Sequence, residues 1–511
     1  MSVVLTGDIG ATSLRAALVD RAGRFVASRR RAAPAETVDG VRHELDAAAW
    51  WTAFAELAAE LAAEAPAEFD AVEAVGICGV TRTQVIVDGA GRPLRKAITW
   101  RDTRAEPEMA PLLACLPAAH PERGRVNAFH PVARLAWVAR HEPGVLEAAA
   151  AVIEPKDYIN LRLTGRIATD PVSSARLLAS AESLGGTNLL SAGGINPRIV
   201  PQHHAPTACV GTVMAGHDGA LGRLQGRPVF CLANDTWAAV LGMGALRPGY
   251  AYNISGTTEV IGAVSAKAAE AEGLMSVDWG EGLHHLGGPS QNGADTVAWM
   301  LQLVGKAASE IGDATAQLLA EPRDPQPILF LPYLQGERTP HWDAALRGAA
   351  LGLNRHHGAT DFAWATLEGI AFLNRLVLER AEAALGGPVG EIRFGGGGAA
   401  NETWCQIKAD VCERPVVVGV ASEPGLLGCA IAAQFGLGRH ASLAMAQEKL
   451  VAIARRYAPR PEHGAIYRQL YALYRDAEVA LRPLSHALSA LDGRRTRLPG
   501  VAAVQKEILQ P

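Results

Sequence analysis

Two aspartates stand in settings where a carboxylate could do chemistry. Asp235 lies in CLANDTWAAVLGMG. The apolar run PVFCL reads as a strand, Asn234-Asp235 follow it, and a small-residue helix begins. The carboxylate therefore falls at or near a helix N-terminus, at the C-terminal end of a strand. One reading is an N-cap, a position that Asp favours. The other is a general base beside a ligand cleft. Asp8 lies in VVLTGDIGATSLRAALV, residues 3–19, where two apolar runs flank Gly, Asp, Ala, Thr and Ser. In such a hairpin glycine lets backbone approach phosphate oxygens, while Thr12, Ser13 and exposed N–H groups donate hydrogen bonds. An acid at the strand end suits Mg²⁺, which prefers oxygen ligands and retains part of its water.

A second turn of this kind occurs in YAYNISGTTEVIGAV, residues 250–264. Each alone reads equally as an ordinary hairpin. The pair, a lobe's length apart, is what a nucleotide held between two lobes requires. A third glycine segment, FGGGGAANETWCQIKADV at 394–411, is either a flexible turn or backbone laid against a flat ligand such as adenine. No GxxxxGK[ST] occurs, and no GxGxxG sits between a strand and a helix.

The elements that must position these residues fit an α/β enzyme. The chain has 511 residues, 49% of them hydrophobic and 20% charged, which excludes wholesale disorder. The net charge of -4 is too balanced for a protein built on nucleic-acid phosphates. Trp50, Trp51, Phe54, Leu57 and Leu61 predict an amphipathic helix over 46–64. Residues 72–88 predict strand, polar turn, strand, and residues 361–385 a long helix. Two lobes result, 1–246 and 247–482, with a hinge near 244–249 (GALRPG) and a loosely structured tail at 483–511 that allows a helix at 500–509. The seven cysteines are scattered without a CxxC and read as reduced thiols. The three His pairs lack a third ligand at sensible spacing and read as surface or capping residues. With no basic leader and no membrane-length apolar run, a soluble cytoplasmic protein is expected.

Several segments together resemble the FGGY family of carbohydrate kinases, within the sugar kinase, heat-shock ATPase and actin group. DIGATSLRAALVD resembles that family's first phosphate segment, and AITWRDTRA (97–105) its Trp-x-Asp-x-Arg motif. EPKDYINLRLTGRIATD (154–170) resembles a typical core stretch, and QGERTPHWD (335–343) the xylulokinase branch. GAALGLNRHHGATDFAWATLE (348–368) resembles the C-terminal signature, with Ala350 smaller than usual, and GGGGAANETW the adenosine segment. The similarity runs from the opening hairpin to about residue 440.

The resemblance implies two actin-like (ribonuclease H-like) lobes around a nucleotide cleft, and transfer of the ATP γ-phosphoryl to a sugar hydroxyl. It implies Asp235 as the base and Asp8 as the Mg²⁺ anchor. Thr12, Ser13 and Arg15 would face the phosphates from one lobe, and Gly256, Thr257 and Thr258 from the other. Gly397, Gly398 and Asn401 would border adenosine. The sugar side would comprise Thr81, Arg82, Trp100, Asp102, Asp235 and Thr236. Trp100 is alternatively a core residue, and Asp102 a surface partner of Arg104. Relatives also imply a homodimer. Two departures stand out: Ala11 replaces a hydroxyl residue, and Arg82 occupies the xylulokinase histidine position. Arg82, a fixed cation with a fork of donors, suits a carboxylate or a pair of hydroxyls. Xylulose-like pentuloses lead, followed by polyols and sugar acids. A nucleotide-dependent actin-like binding protein is the non-enzymatic alternative, and a sugar sensor without catalysis a third reading.

Overall fold

The computed structural model describes residues 2–492 except 118–119, 121, 124–125, 184–187 and 308–310. The first lobe opens with the expected hairpin, β1 (Val3–Ile9) and β2 (Ser13–Asp20), extended by β3 (Phe25–Ala32). Helix α1 (Ala47–Glu64) follows. Asp46 caps it by accepting from Ala48 N at 2.9 Å, and Trp50, Phe54, Leu57 and Leu61 are buried. Next come β4 (Val72–Gly79), β5 (Val85–Val87), β6 (Ala151–Ile153), α2 (Pro155–Thr164) and α3 (Ala175–Ala181). Strands β7 (Cys209–Thr212) and β8 (Pro228–Phe230) lead to α4 (Asp235–Gly242). The sheet order is β7-β8-β4-β1-β2-β3. Central β1 is buried except for half-buried Asp8, as a strand covered on both faces is. β5 does not continue this sheet. It pairs antiparallel with β6, so the turn after β4 faces away from the sheet's continuation and into a cavity.

The second lobe repeats the plan. β9 (Tyr250–Ser255) and β10 (Glu259–Ser265) form the second expected hairpin, followed by β11 (Met275–Gly280) and β12 (Leu283–Pro289). Long helix α5 (Ala359–Leu385) precedes β13 (Glu391–Gly396) and α6 (Glu402–Cys412). Then come β14 (Val416–Gly419), α7 (Pro424–Gly436), β15 (Ile453–Tyr457) and α8 (Pro461–Asp492). The order is β11-β12-β10-β9-β13-β14-β15. In each lobe a central strand pairs antiparallel with the next strand and parallel with a later one: β1 with β2 and β4, β9 with β10 and β13.

One expectation needs correction. The tail does not begin at residue 483: α8 runs through Pro483 to Asp492, with Tyr467 and Tyr474 buried, and 493–511 lie outside the described residues. The lobes also share a core. Leu426, Cys429 and Ile431 of α7 pack in one cluster with Val4 and Ala17 of the first sheet and Trp237 of α4. There α4 and α7 meet backbone to backbone. A Cβ on Gly428 would lie 1.8 Å from Ala238 O, and one on Gly242 1.8 Å from Pro424 O, so only glycine fits either position. The seven cysteines are free thiols, five of them buried. Among the described residues no helix is long and apolar enough to cross a membrane.

Candidate active site

Asn234, not Asp235, caps α4: its Oδ1 accepts from Trp237 N at 2.8 Å. This leaves Asp235 as the first helical residue, half-buried, with Oδ1 accepting from Thr236 N at 2.7 Å and Thr236 Oγ1 at 3.3 Å. Removal from bulk water raises the Asp235 pKa, and the two Thr236 bonds oppose that rise.

Asp8 approaches from the other side of the same seam. Desolvation, then the charge of Asp235, raise its pKa to about 7; Arg15 pulls it down and Glu423 pushes it up. Arg15 is the cross-strand neighbour of Asp8. Its Nη1 lies 3.6 Å from Asp8 Oδ2 and 2.8 Å from Glu423 Oε2, just before α7. Asp8 Oδ1 is buried and has no hydrogen-bond partner among the described residues. A hard cation would satisfy that oxygen and relieve the carboxylate repulsion, so Asp8 fits a metal-anchoring role. In the same turn Thr12 is exposed and Ser13 is buried in the sheet.

A cavity of about 780 Å³ opens between the lobes at Asp235. It is lined by Thr81, Arg82, Trp100, Asp235, Thr236 and Thr258, which the sequence singled out, and by Gln84, Glu154 and Arg338, to which it assigned no role. Arg82 adopts φ 59°, a left-handed conformation costly for a side-chain-bearing residue. Both neighbours of this turn hold it there. Glu154 accepts from Arg82 N at 3.2 Å and Thr83 N at 3.0 Å. Buried Arg134 donates to the Arg82 carbonyl at 2.6 Å and the Phe129 carbonyl at 2.8 Å. Desolvation lifts the Glu154 pKa to about 8. Trp100 is 39% exposed, a cavity wall rather than core, with the Arg101 guanidinium 5.2 Å from its ring.

Asp102 is not part of this lining. It is fully buried. Arg104 donates from Nε to Oδ1 at 2.9 Å and from Nη2 to Oδ2 at 2.6 Å, and His43 N donates to Oδ2 at 2.7 Å. The Asp102–Arg104 pair is real but internal, and its carboxylate is saturated by protein.

The remaining residues expected at the nucleotide lie outside the cavity lining. Gly256 and Thr257 are exposed at the tip of the second hairpin, beside Thr258. Gly397 is open. Gly398 sits where a Cβ would come within 2.7 Å of Ser255 Oγ and of Trp404, so the β9 and α6 walls close tightly there. Asn401 caps α6, its Oδ1 accepting from Trp404 N at 2.9 Å, which commits that oxygen to the helix.

Arg338 enters the cavity from the second lobe. Its Nη2 donates to Thr258 Oγ1 at 3.4 Å and to the Ser290 carbonyl. Glu337 beside it is anchored by Gln291 N at 2.7 Å and Asn292 Nδ2 at 2.6 Å. The QGERTPHWD segment flagged this loop, but only the fold aims Arg338 inward. Glu423 carried no local signal. Among the His pairs, His285 is a buried neutral residue, its pKa pushed down to about 3, bonded to Tyr252 at 3.1 Å and stacked on Trp279. His356 and His357 gather with Asp324, yet both His357 ring nitrogens are engaged, with Asn354 N and Gln326 O.

Comparison with known proteins identifies the family and the fold. The model of the FGGY family of carbohydrate kinases, N-terminal domain, matches residues 3–242, and that of the C-terminal domain residues 251–437. A xylulose kinase of Streptomyces coelicolor is 31% identical over 484 residues, covering 93% of this chain and 95% of its own. Among solved structures, a xylulose kinase from Rhodospirillum rubrum superposes with TM-score 0.84 at 27% identity, covering 95% of this chain and all of its own. A xyloylose kinase from Brucella ovis gives 0.83 at 27% identity, covering 94% of this chain and all of its own.

Proposed function

The chain belongs to the FGGY family of carbohydrate kinases and uses ATP to phosphorylate a sugar, and from that premise we propose Asp235 as the general base acting on a small open-chain acceptor. The observation that carries this reading is the freed Asp235 carboxylate: Asn234 caps the helix, and Asp235 lines the cavity between the lobes. The acceptor hydroxyl gives its proton to Asp235. Its oxygen bonds to the γ-phosphorus as the bond to the β-phosphate bridging oxygen breaks, and ADP leaves. A raised Asp235 pKa makes it a stronger proton acceptor once ionised. Asp8 is the residue that would hold Mg²⁺, which when bound neutralises phosphate charge. Thr12 and Arg15 from the first lobe and Gly256, Thr257 and Thr258 from the second are read as the phosphate turns, with Ser13 supporting from the sheet. Gly397 and Gly398 are read as the adenosine floor, with Asn401 fixing the helix behind them.

On the sugar side Trp100 offers a flat face to C–H groups, and Thr81, Arg82 and Thr236 offer donors. The relatives named above put the acceptor at pentulose size, with xylulose as the neutral reference compound. With ATP as the phosphoryl donor, the protein is read as cytoplasmic, and a homodimer is the assembly expected. Asp235→Asn should keep ATP binding and lower kcat by about 10²–10⁴-fold. Turnover in that variant equal to wild type would overturn the base assignment.

A further inference from the structure

Three arginines line the cavity; Arg176 is paired with Glu122 at 3.3 Å, while Arg82 and Arg338 enter from opposite lobes. Arg82 comes from the turn after β4, and Arg338 from the loop after Tyr333. Neither has a carboxylate within ion-pair distance among the described residues, and Arg82's side chain has no hydrogen-bond partner there either. The two are close enough that the charge of Arg82 lowers the pKa of Arg338. The carboxylates that share the lining have other duties. Glu154 uses both oxygens on the backbone of Arg82 and Thr83. Asp235 faces the reacting hydroxyl. Asp278 accepts from Gly280 N at 2.8 Å and, like Glu182, is exposed.

Phosphoryl transfer brings one anion into this space, and Arg338 is placed for it. Its Nη2 is bonded to Thr258 of the second phosphate turn, and its Nε is buried without a partner. That leaves Arg82, on the opposite lobe among Thr81, Gln84 and Trp100, with no anion to receive. The backbone at Arg82 is held in a costly conformation by Glu154 and Arg134, which fixes where the guanidinium begins. Arg82 is exposed to the water of the cavity; a bound acceptor would displace that water, and a neutral sugar would bring no charge in its place. A carboxylate matches the guanidinium fork with two charge-assisted bonds.

This inference rests on the kinase reading above and narrows its acceptor: we propose that the preferred acceptor is a sugar acid, an open-chain polyhydroxy carboxylate of about pentulose size, whose carboxylate pairs with Arg82 while a hydroxyl faces Asp235. A site built to pair a charged group discriminates strongly against the analogue that lacks it.

The test is ADP release by the full-length protein against D-xylulose and a panel of five- and six-carbon aldonates and keto-aldonates, with Arg82→Gln, Arg82→Lys and Asp235→Asn run beside wild type. At least one acid should exceed xylulose in kcat/KM by about tenfold or more. Arg82→Gln should lower kcat/KM for that acid by about 100-fold, chiefly through KM, and at least tenfold more than for xylulose, with Arg82→Lys recovering part of the loss. Xylulose outperforming every acid in wild type, or an unchanged acid-to-xylulose ratio in Arg82→Gln, would overturn the acceptor assignment. If that neutral turnover still disappears in Asp235→Asn, the kinase reading stands without it. No ADP release with any acceptor would overturn both.

Discussion

Arg15 on β2 and Glu423 at the head of α7 form a 2.8 Å ion pair between two strand-and-helix systems far apart in the chain. The same guanidinium reaches Asp8. A triphosphate arriving at the first turn must therefore compete with Glu423 for Arg15. Glu423→Gln should lower the KM for ATP by about two- to fivefold at low ionic strength, the range of a partly exposed ion pair. Arg15→Ala should raise it. ATP titrations at two salt concentrations check this; an unchanged KM in both variants would remove Arg15 from the phosphate site.

The raised Asp8 pKa has a direction in stability as well as in chemistry. Its folded value of about 7 exceeds the unfolded 3.8. The folded state thus holds a proton that the unfolded chain has lost between these values. The contribution to stability is full below pH about 4 and is lost as pH rises through about 7. In metal-free protein Asp8→Asn should be more stable than wild type at pH 8, on the order of 1–3 kcal/mol, and should lose most of that advantage by pH 5. Urea midpoints at the two pH values measure it.

Helix α8 reaches back to the loop that carries Arg338. Arg482 Nη2, which can only donate, lies 3.1 Å from His341 Nδ1, so His341 must be protonated on Nε2. That N–H donates to Glu478 Oε1 at 2.9 Å, and Tyr333 donates to the same oxygen. Glu478→Leu removes the acceptor that His341 and Tyr333 share, leaving Tyr333 its contact with Tyr474, a cost of about 1–3 kcal/mol. Because Arg338 is read as facing the phosphoryl group, the substitution should also raise the KM for ATP by about five- to tenfold while moving the acceptor KM less. Glu478→Gln should restore much of both. A Tm loss with no KM split would make the cluster purely structural.

Gly428→Ala puts a methyl group into the Ala238 carbonyl. Overpacking at this seam should cost about 1–3 kcal/mol or more and lower kcat as well, because α4 carries Asp235. Full activity in this variant would show that the helices separate without disturbing the base.

Much of this molecule was legible locally. Both hairpins follow from small polar residues between apolar runs, and α1 from Trp50, Phe54, Leu57 and Leu61 behind Asp46. Asp235 was found because strand, Asn-Asp and helix adjoin in sequence. Periodicity reports that a residue is buried, not what covers it. Nothing local distinguishes Asp102 as a ligand from Asp102 saturated by Arg104 and His43, because the His43 amide comes from a strand 59 residues earlier. The packing of α7 on β1 was equally hidden: Cys429 Sγ meets Gly7 O at 3.6 Å across 422 residues. Pro483 suggested a helix end, yet α8 passes through it because its buried tyrosines hold the preceding turns in place.

The contact between α4 and α7 leaves no room for side chains at its centre, so any hinge between the halves would have its fulcrum there. Rigid halves pivoting there sweep the widest arcs at their outer edges and almost none at the axis. Asp8 on β1 and Asp235 at the head of α4 both belong to the first lobe, so a pivot at that contact would leave their spacing unchanged.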